Sequence, residues 1–161
     1  MRSLACLLLG MATLSMTAEA AAQNTEERQH TVTAEVEEYA AIEVAPPPTF
    51  SAAPGASNSV ESTYAIVTNI PAPQRLVASV KGRRPSGVSV WVDVEPPDGA
   101  EAAGEGAVQV LGPDGRARSQ TLATGIGQVS ESGLTVTYTT EVTVDAQPDD
   151  QQVRLEFRLV K

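Results

Sequence analysis

The chain has 161 residues, with 11 Lys+Arg against 20 Asp+Glu, a formal net charge of −9, 4% aromatic residues and one cysteine. Such an acidic balance repels nucleic acid and anionic membranes and argues against both as partners. His30 is the one histidine and Cys6 the one cysteine, so a zinc site would lack His/Cys partners and a Ser-His-Asp triad would have to be built on a single residue.

Residues 1–22 read as a secretory signal peptide. Arg2 supplies the positive region, Leu4 to Leu14 an apolar run, and Ala18 to Ala22 small-residue cleavage sites. A membrane-spanning helix needs about 20 apolar residues, so this run is too short for one. Ser3 stands where a lipid-attachment signal wants leucine, and no lipid anchor is expected. The expected location is therefore secreted, in the periplasm or at the cell surface, with no membrane span in the mature chain. Cys6 leaves with the signal, so stability is expected from core burial and sheet hydrogen bonds rather than from disulfides.

Residues 23–29 form a polar leader with nothing apolar to bury, and residues 30–161 suit a single domain. His30 to Glu37 alternates, which predicts a first strand with Val32, Ala34 and Val36 on one face; Tyr39, Ile42 and Val44 continue it or form a second short strand. A Pro/Gly/Ser-rich loop from Ala45 to Ser59 follows, with Phe50 as its one bulky group. Ser62–Thr68 and Arg75–Lys81 flank a turn, with Tyr64, Ile66, Leu76, Ala78 and Val80 inward. Lys81, Arg83 and Arg84 read as a solvated hairpin loop. Val88–Val94 puts four valines on one face and Trp91 on the other.

Ala100–Gly106 reads as an acidic loop, Ala107–Leu111 as a short strand, and Gln120–Ala123 as another, interrupted at Thr124–Gly127. The glycines Gly125 and Gly127 suggest a bulge or a crossing between sheets. Leu134–Val144 and Val153–Leu159 alternate most clearly and read as a closing β-hairpin. Its core face is Leu134, Val136, Tyr138, Val142, Val144, Val153, Leu155, Phe157 and Leu159; its final arm ends at Lys161, with no tail expected to cover it. Seven to nine strands with no amphipathic helical window predict an all-β fold, an Ig-like antiparallel β-sandwich, with a small barrel as the alternative.

No motif carries chemistry. The acidic turn at Asp145, Asp149 and Asp150 has no Asp-x-Asp-x-Asp-Gly spacing for calcium, and Gly104-Glu105-Gly106 has no third glycine or following helix. No catalytic residue, metal or cofactor is expected. Tyr64-Ala65-Ile66-Val67-Thr68-Asn69-Ile70-Pro71, the run Leu122–Gly127 and the final Leu-Thr-Val-Thr-Tyr resemble secreted bacterial envelope proteins, the group that includes coat-protein-U-like pilin subunits of Ig-like fold. The likeness is one of pattern over nearly the whole mature chain, and the chain departs from many of those pilins in having no disulfide. The resemblance implies a non-enzymatic structural or adhesive role, with other envelope proteins or the chain itself as partners through strand pairing.

In such a pilin, Val32, Ala34 and Val36 would be the strand donated to a neighbour; the same strand completing its own sandwich is the preferred reading. Two other functions stay open: a carbohydrate- or ligand-binding module with Trp91, Tyr64 and Tyr39 as platforms, and a secreted hydrolase using paired carboxylates. For Trp91, a core position under the long loop competes with an exposed platform, and the usual burial of tryptophan favours the core.

Overall fold

The structure is a computed structural model that describes residues 34–46, 53–146 and 152–161. The signal peptide, the leader, Val32, Phe50 and the Asp149-Asp150 turn lie outside the described residues. The compact unit is Val36–Lys161. Its described residues hold nine strands and no helix: β1 (Ala40–Val44), β2 (Ser57–Thr68), β3 (Gln74–Lys81), β4 (Val88–Val94), β5 (Glu101–Ala102), β6 (Val108–Leu111), β7 (Gln120–Ile126), β8 (Val129–Val142) and β9 (Arg154–Val160).

These strands form two antiparallel sheets. The first has the order β1-β2-β8-β4-β6 and the second β5-β7-β3-β9. One core lies between them, because period-2 alternation gives each sheet a single apolar face and the two faces can leave water only against each other. Ile66, Val92, Val136 and Val110 from the first sheet meet Leu76, Ala78, Ala123 and Ile126 from the second, all 1% exposed or less. Each full-sized aliphatic side chain buried this way contributes about 1.5–3 kcal/mol. Tyr138 on β8 and Phe157 on β9 span the layer edge to face, with ring centroids 6.4 Å apart at 76°.

Only β1 and β2 are consecutive neighbours within a sheet; from β2 onward every connection crosses to the other sheet. This corrects the closing hairpin. β8 pairs with β2 and β4 in the first sheet and β9 pairs with β3 in the second, so the two arms lie in different sheets. It also corrects the loop at Lys81–Arg84, which joins β3 to β4 in the opposite sheet and closes no hairpin. The arch after β2 is held locally: the Thr68 hydroxyl accepts the Ile70 amide at 3.1 Å.

Inward positions follow the alternation closely. Tyr64, Ile66, Leu76, Ala78, Val80, Leu134, Val136 and Tyr138 are buried. Val153, Leu155, Phe157 and Leu159 pack on the core but stay half-buried, because among the described residues β9 has a strand on one side only. Val144 is 80% exposed, a correction: β8 ends at Val142 and Val144 falls in the turn beyond it. The expected first strand is also displaced. Residues 34–39 are not in a strand, Ala34 is exposed and Val36 is 79% exposed, while β1 begins at Ala40. Part of the acidic loop becomes the two-residue β5.

Both glycine readings at the end of β7 hold. Between Gln74↔Ile126 and Leu76↔Ala123 the β7 side has an extra residue, with Gly125 at φ 76°, and the chain leaves the sheet after Ile126. A matching bulge in β8 sits at Gly133, φ 77°, between the pairs Tyr64↔Leu134 and Ile66↔Glu131. A left-handed backbone of this kind suits glycine.

Candidate functional site

Three surfaces collect the residues singled out by sequence. The first is the outer face of the first sheet. Its strands present Glu43, Glu61, Asp93 and Glu141 outward and carry no lysine or arginine, while Glu131 lies opposite the buried Ile66. Register places Thr137 of β8 between Glu61 of β2 and Asp93 of β4, and places Thr139 between Ser59 and Trp91. Ser59 Oγ and Thr139 Oγ1 lie 3.1 Å apart. Trp91 is half-buried here, flanked by Thr139 and by Gln109 of β6, on the side away from the core. The core placement favoured for Trp91 is thus corrected: its neighbours Val90 and Val92 take the inward positions.

The other two aromatic candidates lie apart from it. Tyr64 is 3% exposed, with its hydroxyl donated to the Glu95 carbonyl at 2.5 Å, so it is a core residue and no platform. Burial, with Glu95 and Glu131 nearby, pushes its hydroxyl up to about 12; burial alone does the same for Tyr138. Tyr39 is 58% exposed at the start of β1. Asn69, which sequence reasoning did not single out, fixes that region. Its Oδ1 accepts the Tyr39 amide at 2.6 Å and its Nδ2 donates to the Glu37 carbonyl at 2.7 Å. Its carbonyl accepts Gln128 Nε2 at 2.8 Å. An Asn at a turn was the one signal for it.

The second surface is the β3–β9 half of the second sheet, where the charge reverses. Lys81, Arg154 and Arg158 lie around Glu156, and Arg75 stands at the other end of β3, opposite Val160. Glu156 Oε2 lies 3.2 Å from Lys81 Nζ and 3.3 Å from Arg158 Nε. Lys81 therefore belongs to a sheet face as well as to the basic loop. Along its other side β9 forms no ladder with any described residue, leaving an open edge of seven residues. Beyond its end, Lys161 Nζ meets Glu38 Oε2 at 2.8 Å.

The third surface is a pair of open grooves. One, of about 340 Å³, is lined by Asp93, Glu95, Thr135 and Thr137. The other, of about 420 Å³, is lined by Ser86, Asp114, Thr143 and Asp145. In the second, the Thr143 hydroxyl and its own backbone amide hold the Asp145 carboxyl below the usual carboxylate range. Asp114 is committed to Arg116, accepting its amide at 3.0 Å and pairing with its Nε at 3.2 Å. Among the described residues no group of three His, Cys, Asp or Glu is placed to hold a metal, and no helix is long and apolar enough to cross a membrane.

Of the expected partner-strand residues, Ala34 and Val36 are exposed and Val32 lies outside the described residues. In the comparisons with known proteins, no family model, no curated protein and no solved structure matches this chain.

Proposed function

We propose that this chain is an exported, non-enzymatic structural or adhesive protein of the cell envelope, built as an Ig-like sandwich and working through its open sheet edge and loops. The observation that carries this reading is the edge of β9 that no described strand pairs with. In an Ig sandwich the strands A-B-E-D form one sheet and C-F-G the other. The order β1-β2-β8-β4 follows A-B-E-D, and β3–β9 follows C–F, with β5 to β7 inserted before the E position. On that correspondence, the free side of β9 is the place of strand G. An edge of this kind takes a strand from a partner, whose backbone supplies hydrogen bonds and whose alternate side chains fill the gap over Leu155, Phe157 and Leu159. The signal-like residues 1–22 support export.

Because Cys6, the chain's one cysteine, lies within the signal-like residues removed on export, a cysteine introduced on the surface reports a single place in the exported chain. A thiol crosslinker applied to intact cells is expected to give adducts from Arg158→Cys in the envelope fraction and none from Thr137→Cys on the opposite sheet. Adducts from Thr137→Cys alone, or a chain retained in the cytoplasm, overturn the reading.

A second reading, a carbohydrate-binding face, is favoured by one observation: Trp91 lies outside the core among hydroxyl, amide and carboxylate groups. Saccharide-dependent changes in Trp91 fluorescence, lost in Thr139→Ala, would support it over the first. Emission unmoved by neutral and cationic glycans would remove it.

A further inference from the structure

We propose that the strand taken up by the β9 edge is β9 of a second copy, paired antiparallel about Phe157 so that two second-type sheets become one continuous sheet across a two-fold axis. This rests on the edge reading above and names its occupant.

The strand is Arg154-Leu155-Glu156-Phe157-Arg158-Leu159-Val160. One side is filled by β3 along its whole length, from Arg75↔Val160 to Lys81↔Arg154. Along the other no described residue pairs with it, and an edge of this length is a template for another strand. Leu155, Phe157 and Leu159 point to the core but are only half-buried, so a neighbouring strand would cover them further.

Turned antiparallel on itself about Phe157, the strand is self-complementary from Leu155 to Leu159. Leu155 opposes Leu159, Phe157 opposes Phe157, and Glu156 of each copy opposes Arg158 of the other. Directly opposed residues in an antiparallel pair are close enough for such charges to attract and like charges to repel. The neighbouring registers lose this. Centring on Glu156 sets Glu156 against itself and Arg154 against Arg158; centring on Arg158 sets Arg158 against itself. A slip by one residue opposes core-facing to outward-facing side chains, which the alternation forbids.

Outside those pairs the two-fold brings the basic residues of β3 and β9 toward their own copies, so the attraction rests on the two Glu156–Arg158 pairs and the association is weak. Because the contact is the same patch on both copies, it closes at a dimer and does not propagate.

The test is the mass of the purified chain by light scattering or sedimentation from about 1 μM to about 1 mM, the window of a weak association. The native chain is expected to move from monomer to dimer and stop. Arg158→Glu sets carboxylates against each other and raises the dissociation constant at least tenfold. Glu156→Arg does the same with guanidinium groups, and the double exchange Glu156→Arg/Arg158→Glu returns it to near the native value. Circular dichroism melts confirm that each variant is folded. Should Glu156→Arg fail to fold beside Lys81, Arg158→Glu together with Arg158→Lys carries the comparison, with the lysine retaining the dimer. A monomer throughout the range, growth beyond a dimer, or a double exchange that does not restore association overturns the proposal. Envelope crosslinks from Arg158→Cys to a different protein would then leave the edge reading standing with another occupant.

Discussion

β8 and β9 follow one another in the chain and carry the same apolar alternation, yet they live in different surroundings. β8 is a fourteen-residue strand paired on both sides, by β2 and β4, in the middle of the first sheet. β9 is half that length and, among the described residues, paired by β3 alone, at the margin of the second. On β8 the inward Val136 is 1% exposed, whereas all three inward apolar side chains of β9 are half-buried. The contrast separates two settings of one pattern: a strand enclosed on every side fixes the fold, and a strand at the margin of the described sheet does so only partly.

The sharpest way to break this comparison is to bury a charge in each strand. Val136→Asp places a carboxylate in a position without water or a polar partner. Loss of the apolar side chain and desolvation together are expected to remove about 4 kcal/mol or more, enough to unfold a domain of ordinary stability. Leu155→Asp has an exit to solvent along the free edge and is expected to cost about half as much. Urea melts of the two variants check this; equal losses would mean that β9 is as enclosed as β8.

The alkaline limit tests the same enclosure by titration. Tyr64 and Tyr138 have hydroxyls raised to about 12 from the ordinary 10. Groups raised in the folded state favour folding fully below their unfolded value and lose that contribution as the pH climbs through the folded one. Stability is therefore expected to hold to about pH 10 and to fall between about pH 10 and 12. Tyrosinate absorbance should rise together with loss of the sheet signal. Tyr138→Phe, which removes one of the two groups from the core side of β8, should make the fall shallower; an unchanged profile would place the titrating group elsewhere.

The inward face of nearly every strand is legible in the amino-acid sequence, because alternation is a local property and burial on one side enforces it. Tyr64, Ile66, Leu76, Ala78 and Val80 are such positions. Partnership is not legible in the same way. Whether Val136 and Leu155 lie in one sheet or face each other across the core depends on contacts far apart in sequence, and both arrangements need the same apolar face. Trp91 misleads for a related reason: its bulk argues for burial, but Val90 and Val92 already claim the inward side of β4. Val144 and Val36 continue an alternation past the end of the pairing that gives it meaning. The functional surfaces are least legible of all, since an open edge is defined by what does not pair with it.

Smaller changes sharpen the account of how the first sheet is held. Gly133→Ala meets no steric obstacle to its added carbon, yet the residue sits at φ 77° in the β8 bulge. The left-handed backbone alone should therefore cost about 1–2 kcal/mol. Asn69→Ala removes the two side-chain hydrogen bonds that hold Glu37 and Tyr39 beside the β2–β3 arch, a loss of about 1–2 kcal/mol in total. Amide exchange should show it as faster exchange at Tyr39 with the β8 amides unchanged. Loosening spread over both sheets would instead make Asn69 part of the global core.

A similarly small effect is expected at Trp91, and it decides what the face of the first sheet is. A tryptophan in the core leaves a large cavity when truncated, costing about 3–5 kcal/mol. A tryptophan lying on the outer face between Thr139 and Gln109 gives up only cross-strand contacts, each worth about 0.2–1 kcal/mol. Trp91→Ala should therefore melt within about 1–2 kcal/mol of the native chain, and native Trp91 emission should be quenched by acrylamide. Iodide should quench it less, because Glu61, Asp93 and Glu141 on the same face repel an anion. Caesium should reverse that order. Equal quenching by iodide and caesium would show that the acidic row does not dominate the field at Trp91, and the two sheets would then differ in packing alone.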